Sequence, residues 1–182
     1  MKRNFLIAGI MIFLFGFIAM FSYSAEVPAK LQAALLFKVF NFDKNLKEAS
    51  GNDIKIGVLF AEGNADSEKN KGDILGAFGA MSDKKIGGKG ISVEEFSSVD
   101  SISNYNVVYV TTGFDDQIDA IIESCKSNKV LGVSGVEDYA KKGLALAIAL
   151  EGGKPKICIN KSGAEACGAK FSSQIMSLAK VL

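Results

Sequence analysis

Apolar residues along this chain repeat with two different periods, and the points where the period switches divide it into elements. From Ala29 to Asn45, Leu31, Leu35, Val39 and Phe42 recur at helical spacing, with Ala34, Leu36, Phe37 and Phe40 widening the stripe. This predicts a helix with more apolar surface than one face can hide. Gly51-Asn52-Asp53 then punctuates the chain before Ile54 to Phe60, a β-branched run short enough to be a strand. A loop from Glu62 to Ala65 leads to Asp66 or Ser67 as a helix N-cap, with Ile74, Leu75, Phe78 and Met81 on one face. A short strand is expected from Ile91 to Phe96. Val107 to Thr111 reads as a strand buried on both sides.

A helix from Asp115 to Lys126 comes next, then an apolar strand from Lys129 to Ser134 and a short helix around Glu137 to Lys142. Leu144, Leu146, Ile148 and Leu150 alternate with alanines, and Gly152-Gly153 turns the chain into Lys156 to Asn160, which is a hairpin pattern. Pro155 cannot donate to a ladder, so its strand should begin there or lie at an edge. A closing helix is expected from about Gly163, with Ala164, Cys167, Phe171, Ile175, Leu178 and Leu182 as its stripe. Strand and helix alternating in this way predict a three-layer α/β/α sandwich: a mostly parallel sheet, a C-terminal antiparallel hairpin and a closing helix.

The N-terminus obeys a different rule. Lys2 and Arg3 precede an uncharged apolar run from Phe5 to Phe21, and then Ser22-Tyr23-Ser24-Ala25. This is the layout of a secretory signal, with Ser22 and Ser24 at the −3 and −1 positions, so residues 1–24 are expected to be removed and a single domain to span 25–182. The alternative is an uncleaved membrane anchor.

Composition narrows the chemistry. With 48% hydrophobic and 23% charged residues the chain is built to fold. It has no His, so a histidine base, a Ser-His pair or a His-bound zinc is excluded, and no metal or cofactor is expected. Lys and Arg number 21 against 20 Asp and Glu. That balance argues against nucleic acid, which needs a basic surplus. Glu94-Glu95 and Asp115-Asp116 point apart on a strand or serve a helix start, so neither is a carboxylate dyad.

The segments Lys129 to Ser134, Gly143 before a hydrophobic strand, Ile157 to Asn160, and Gly168-Ala169-Lys170-Phe171-Ser172-Ser173-Gln174-Ile175 resemble the YfiR-like family of small periplasmic proteins, a domain of unknown function. Gly87 to Ile91 also resembles the family's glycine-containing entry into a strand, and the resemblance covers residues 29 to 182. Two stretches depart from the pattern. Phe40-Asn41-Phe42-Asp43 stands where the family's first helix usually ends in Trp-Pro, and Ser134-Gly135 stands where it has Ser-Asp. The resemblance implies an α/β/α periplasmic domain, acting in its best-known member by holding a membrane-bound diguanylate cyclase inactive through protein contact.

Three sets of residues are candidates for function. Asn64, Asp66 and Ser67, Thr111 and Thr112, and Ser134 lie at the ends of three strands, where α/β proteins collect ligands; the alternative is capping and turn chemistry. Leu36, Phe37 and Phe40, the surplus apolar side of the first helix, are candidates for a face that binds a membrane-bound signalling protein or a second copy of the chain. Cys158 and Cys167, nine positions apart in an exported protein, are candidates for a disulfide; alternatively both are small core residues, with Cys125 a buried thiol. The leading expectation is a non-enzymatic regulatory protein. A small-ligand binder using the strand-end crevice is the alternative.

Overall fold

Asp53–Leu59, with its Ile54, Ile56, Val58 and Leu59 buried, forms β1, second from one edge of a seven-stranded sheet. The computed structural model describes residues 26–48 and 51–182; the expected signal segment lies outside them. Among the described residues, no helix is long and apolar enough to cross a membrane.

The chain runs through α1 (Ala29–Phe40), α2 (Lys44–Glu48), β1, α3 (Ala65–Gly79), β2 (Gly90–Phe96) and a 3-10 segment at Val99–Asn104. It continues through β3 (Val107–Val110), α4 (Ile118–Asn128), β4 (Leu131–Ser134), α5 (Glu137–Lys142), β5 (Leu146–Glu151) and β6 (Lys154–Ile159). It closes with α6 (Lys161–Ala166), α7 (Ser173–Leu178) and β7 (Lys180–Val181). The strand order is β2-β1-β3-β4-β5-β6-β7, parallel throughout except for the β5–β6 hairpin. Parallel strands need both faces covered, and here they are. One face packs Ile56, Tyr109, Val133 and Ile148 against α1 and α3. The other packs Val108 and Val110 against α4 and Tyr139 of α5. Pro155 faces Leu150 in the half of β6 that β7 does not reach, so its missing N–H breaks no ladder.

Two expectations need correction. The first concerns α1, which ends at Phe40 instead of running on to Asn45. Its core face is not the stripe through Leu31, of which only Val39 is fully buried: Ala33, Leu36, Phe37 and Phe40 are buried, while Leu31 is 40% exposed. Leu36, Phe37 and Phe40 therefore belong to the core of the monomer. The reason is geometric: α1 lies against both the sheet and α3, and the wide apolar sector fills that corner.

The second concerns the closing helix, which is broken. After α6 the chain turns at Gly168 (φ 84°), a left-handed conformation that a side chain would strain. Phe171 then forms a bridge with Asp43 before α7 begins, and β7 adds a short strand alongside β6. Lys180 fixes this end through Glu137 at 3.1 Å and Glu151 at 2.8 Å.

Asp43 organises the junction. Its carboxylate is buried, and Oδ1 accepts from the backbone N–H of Asn45 and of Lys170, each at 3.0 Å. Replacing it with alanine strips two buried donors of their acceptor. Asp43→Ala should therefore lose about 2–4 kcal/mol in urea unfolding, whereas Asp43→Asn, which keeps Oδ1, should lose less.

Candidate functional site

The 2-1-3 strand order places a switch point between β1 and β3, where chain connections leave in opposite directions and a crevice opens at the carboxyl ends of the strands. The strand-end candidates gather around it. Asn64 caps α3, its Oδ1 accepting from Ser67 N–H at 3.0 Å. Gly113 (φ 93°) sits so close that a Cβ there would lie 2.7 Å from Asn64 Nδ2.

The hydroxyls are engaged internally. Thr111 Oγ1 donates to the Leu59 carbonyl at 3.0 Å, so the 2.6 Å contact between the two hydroxyls has Ser67 as donor. Ser67 Oγ in turn accepts from Ala61 N–H at 2.8 Å. Ser134 donates to the Val110 carbonyl at 2.8 Å and accepts from Val136 N–H at 3.1 Å. All three side chains are fully buried, so these groups tie loops to strands. Asp66 and Thr112, in contrast, face open space. They line a polar cleft of about 420 Å³ together with Gln32, Asn70, Asp73 and Lys69, at the edge of α1.

Beneath that cleft lies a polar pair that periodicity alone does not reveal. Tyr109 of β3 donates from its hydroxyl to Gln32 Oε1 at 2.8 Å, and Gln32 Nε2 donates to the Val27 carbonyl at 2.7 Å. Burial pushes the Tyr109 phenol well above its ordinary pKa, against hydrogen bonds from Asn70 and the Gly135 backbone. A lone glutamine on the inward side of an apolar helix was the one signal of it in the sequence.

A second cleft, of about 500 Å³, opens where α6 and α7 meet the end of β6. Ile159, Ala164, Phe171 and Met176 give it an apolar lining, and Lys161, Glu165 and Lys170 line it as well. Asn45 steadies its wall through a side-chain hydrogen bond to the Gly168 carbonyl. Asn160, at the strand end, accepts from Gly163 N–H at 2.8 Å and donates to the Ala140 carbonyl at 2.9 Å, so it caps α6 and joins it to α5. The chemistry on offer is an apolar slot with Lys170 at its edge beside a Lys161–Glu165 ion pair of 4.0 Å, suited to an apolar side chain or ring that carries an acid.

The Cys158–Cys167 bridge is not formed; Cys125, Cys158 and Cys167 are all buried free thiols. Cys158 packs among Ala140, Ala147, Ala149 and Leu182, whereas Cys167 shares a cluster with Cys125. The short helix α6 carries Cys167 back toward the end of α4, where Lys129 Nζ donates to the Ala166 carbonyl at 2.8 Å. Among the described residues, no group of His, Cys, Asp and Glu is placed to hold a metal ion.

Apart from Asn45, the larger cleft is lined by residues between Ile159 and Met176, the segment that contains Ile159 and Gly168 to Phe171 of the residues resembling the family. The profile of the YfiR/HmsC-like family matches the chain over residues 29–180. The chain belongs to this family. The YfiR/HmsC-like domain is of a periplasmic, regulatory type. No curated protein sequence matches the chain.

Among solved structures, it is similar to a conserved domain protein of Vibrio cholerae O1 biovar eltor (12% identity, TM-score 0.61), covering 85% of this chain and 60% of that one. It is also similar to an ABC domain in complex with L-Trp from Streptococcus pneumonia (14%, TM-score 0.58, 85% and 60%). A third is CD0873 of Clostridium difficile, a substrate binding protein with adhesive properties (13%, TM-score 0.55, 86% and 60%). These likenesses are of fold alone, and this chain spans about 60% of the length of each neighbour.

Because Thr111 relays a hydrogen bond between α3 and β1, Thr111→Val should cost about 1–3 kcal/mol in chemical denaturation by leaving the Ser67 hydroxyl without its acceptor. Thr111→Ser, which keeps the oxygen, should remain near wild type.

Proposed function

We propose that this YfiR/HmsC-like chain is an exported, non-enzymatic regulator that acts by contact, seating the periplasmic region of a membrane-bound signalling protein, such as a diguanylate cyclase, on the surface built by residues 161–182. The observation that carries this reading is the apolar cleft with lysines at its edge, next to unusually exposed apolar residues. Leu178 is 54% and Val181 49% exposed, and both follow Met176, which lines the cleft. An apolar anchor entering between Phe171 and Met176, with a carboxylate meeting Lys170 or Lys161, matches the pattern of a buried anchor inside a polar rim. This moves the partner face from α1 to the C-terminal segment, since Leu36, Phe37 and Phe40 are occupied in the core. A second copy of the chain on this surface is the competing occupant.

The polar cleft supports a second reading, small-solute binding at the switch point. It holds Glu26, Asp66 and Asp73 against Lys69, which favours a polar or cationic solute. The likeness to a substrate binding protein adds to that reading.

Leu178→Asp combined with Val181→Asp alters exposed positions and should leave the unfolding midpoint almost unchanged. Crosslinking in cells followed by purification should then recover the membrane partner at least about 10-fold less efficiently, the loss expected when interface anchors are removed. Undiminished recovery would refute the assignment. A change in sedimentation of the purified wild-type chain, abolished by the same variant, would identify a second copy as the occupant.

A further inference from the structure

Cys125 and Cys167 are separated by 42 positions in sequence, yet both are buried in one cluster, beside Gly132 of β4 on the Cys125 side. A Cβ placed on Gly132 would lie 3.1 Å from Cys125 Sγ, so the absent side chain is what makes room for this sulfur against the strand. Cys167 lies in the same buried cluster as Cys125, Val130 and Leu144, the residues around this strand position. Leu144, whose Cδ1 would lie 2.5 Å from that Cβ, closes one side of the space and keeps it apolar. Two hydrogen bonds hold the walls together: Val130 N–H donates to the Cys125 carbonyl at 2.9 Å, and the Lys129 ammonium donates to the Ala166 carbonyl.

We propose that Cys125 and Cys167 form a latent disulfide pair, closed by oxidation in an oxidising compartment and joining the end of α4 to the turn after α6. The two residues approach the site differently. Cys125 is sealed, while Cys167 also lines a cleft of about 450 Å³ between that turn and the amino-terminal ends of β3 and β4, bordered by Asp43, Tyr105 and Asn128. Burial raises both thiols, Cys125 up to about 12. For Cys167 that effect is opposed by the Gly132 hydrogen bond and by Lys126 and Lys129. Cys167 is therefore the thiol that meets the oxidant, and Cys125 the one that resolves.

The chemistry is a thiol–disulfide exchange. The Cys167 thiolate attacks a sulfur of a small-molecule or protein disulfide and expels one thiolate. Cys125, giving up its proton, then attacks Cys167 Sγ and expels the second. The two thiols together lose two protons and two electrons, and the oxidant's two sulfurs leave as thiols once the expelled thiolates have taken up those protons. Cys158, packed under α5 among alanines, takes no part.

The full chain, purified reduced, is treated with the azo oxidant diamide, which takes up the two protons and two electrons as a hydrazine; the remaining thiols are then alkylated and the peptides mapped without reduction. The expected result is a Cys125–Cys167 linked peptide with Cys158 alkylated. The melting temperature should rise by on the order of 10 °C, as for a cross-link closing a loop of this length, and dithiothreitol should reverse the rise. Cys158→Ala should behave like wild type, and Cys125→Ala and Cys167→Ala, each checked by circular dichroism to be folded, should show neither the linkage nor the rise. A linked peptide containing Cys158, a fall in melting temperature on bridging, or three alkylated thiols at a diamide dose that oxidises the urea-unfolded chain would each overturn the proposal.

Discussion

One buried carboxylate joins the start of this fold to its end. Asp43 and Lys170 are 127 positions apart, and a single oxygen of Asp43 accepts N–H groups from both sides of the gap. A carboxylate removed from water is tolerated only where such donors replace its solvent. Around it, Lys44 N–H donates to the Lys170 carbonyl at 3.1 Å and Ser172 N–H to the Phe42 carbonyl at 3.1 Å. Asn45 bonds Gly168. The result is a clasp in which residues 42–45 and 168–172 act as one unit, and it explains why the chain after α6 does not simply continue as a helix.

The clasp positions most of the C-terminal third. It sets Phe171 and Lys170 at the mouth of the apolar cleft, and it carries Cys167 to β4 and Cys125. It also directs α7 and β7 to the last strand, where Lys180 meets Glu137 and Glu151. The two ends of the molecule consequently differ in chemical character. At the strand carboxyl ends, Ser67, Thr111 and Ser134 spend their hydrogen bonds on backbone groups and stiffen the loops. Around the C-terminal segment, apolar side chains and lysines are left facing outward, which is what a contact-based regulator requires.

The alternation of strands and helices was readable because each buried strand is a short β-branched run and each helix has its own period; Glu137–Lys142 and the β5–β6 hairpin fall where the pattern puts them. Membership of the YfiR/HmsC-like family was readable from the closing residues. What sequence could not supply was direction. A helix apolar on two sides, such as α1, does not say which side meets the sheet, and here the corner between sheet and α3 took the side that looked surplus. Spacing paired Cys158 with Cys167, but where α6 lies puts Cys167 in the cluster of Cys125 and leaves Cys158 in another, which spacing along the chain does not show. The hydroxyls at the strand ends looked like ligands because the same residue types serve caps and sites alike. Asp43 gave no signal, since its partner Lys170 lies at the far end of the chain.

The proposed contact through the C-terminal segment is tested most directly by a hydrogen-exchange footprint of the chain on membranes that contain the proposed signalling partner, compared with the chain alone. Slowed exchange concentrated in residues 161–182 is the predicted result. Protection confined to residues 26–32, 66–73 and 112, around the polar cleft, with the C-terminal segment unchanged, would contradict it.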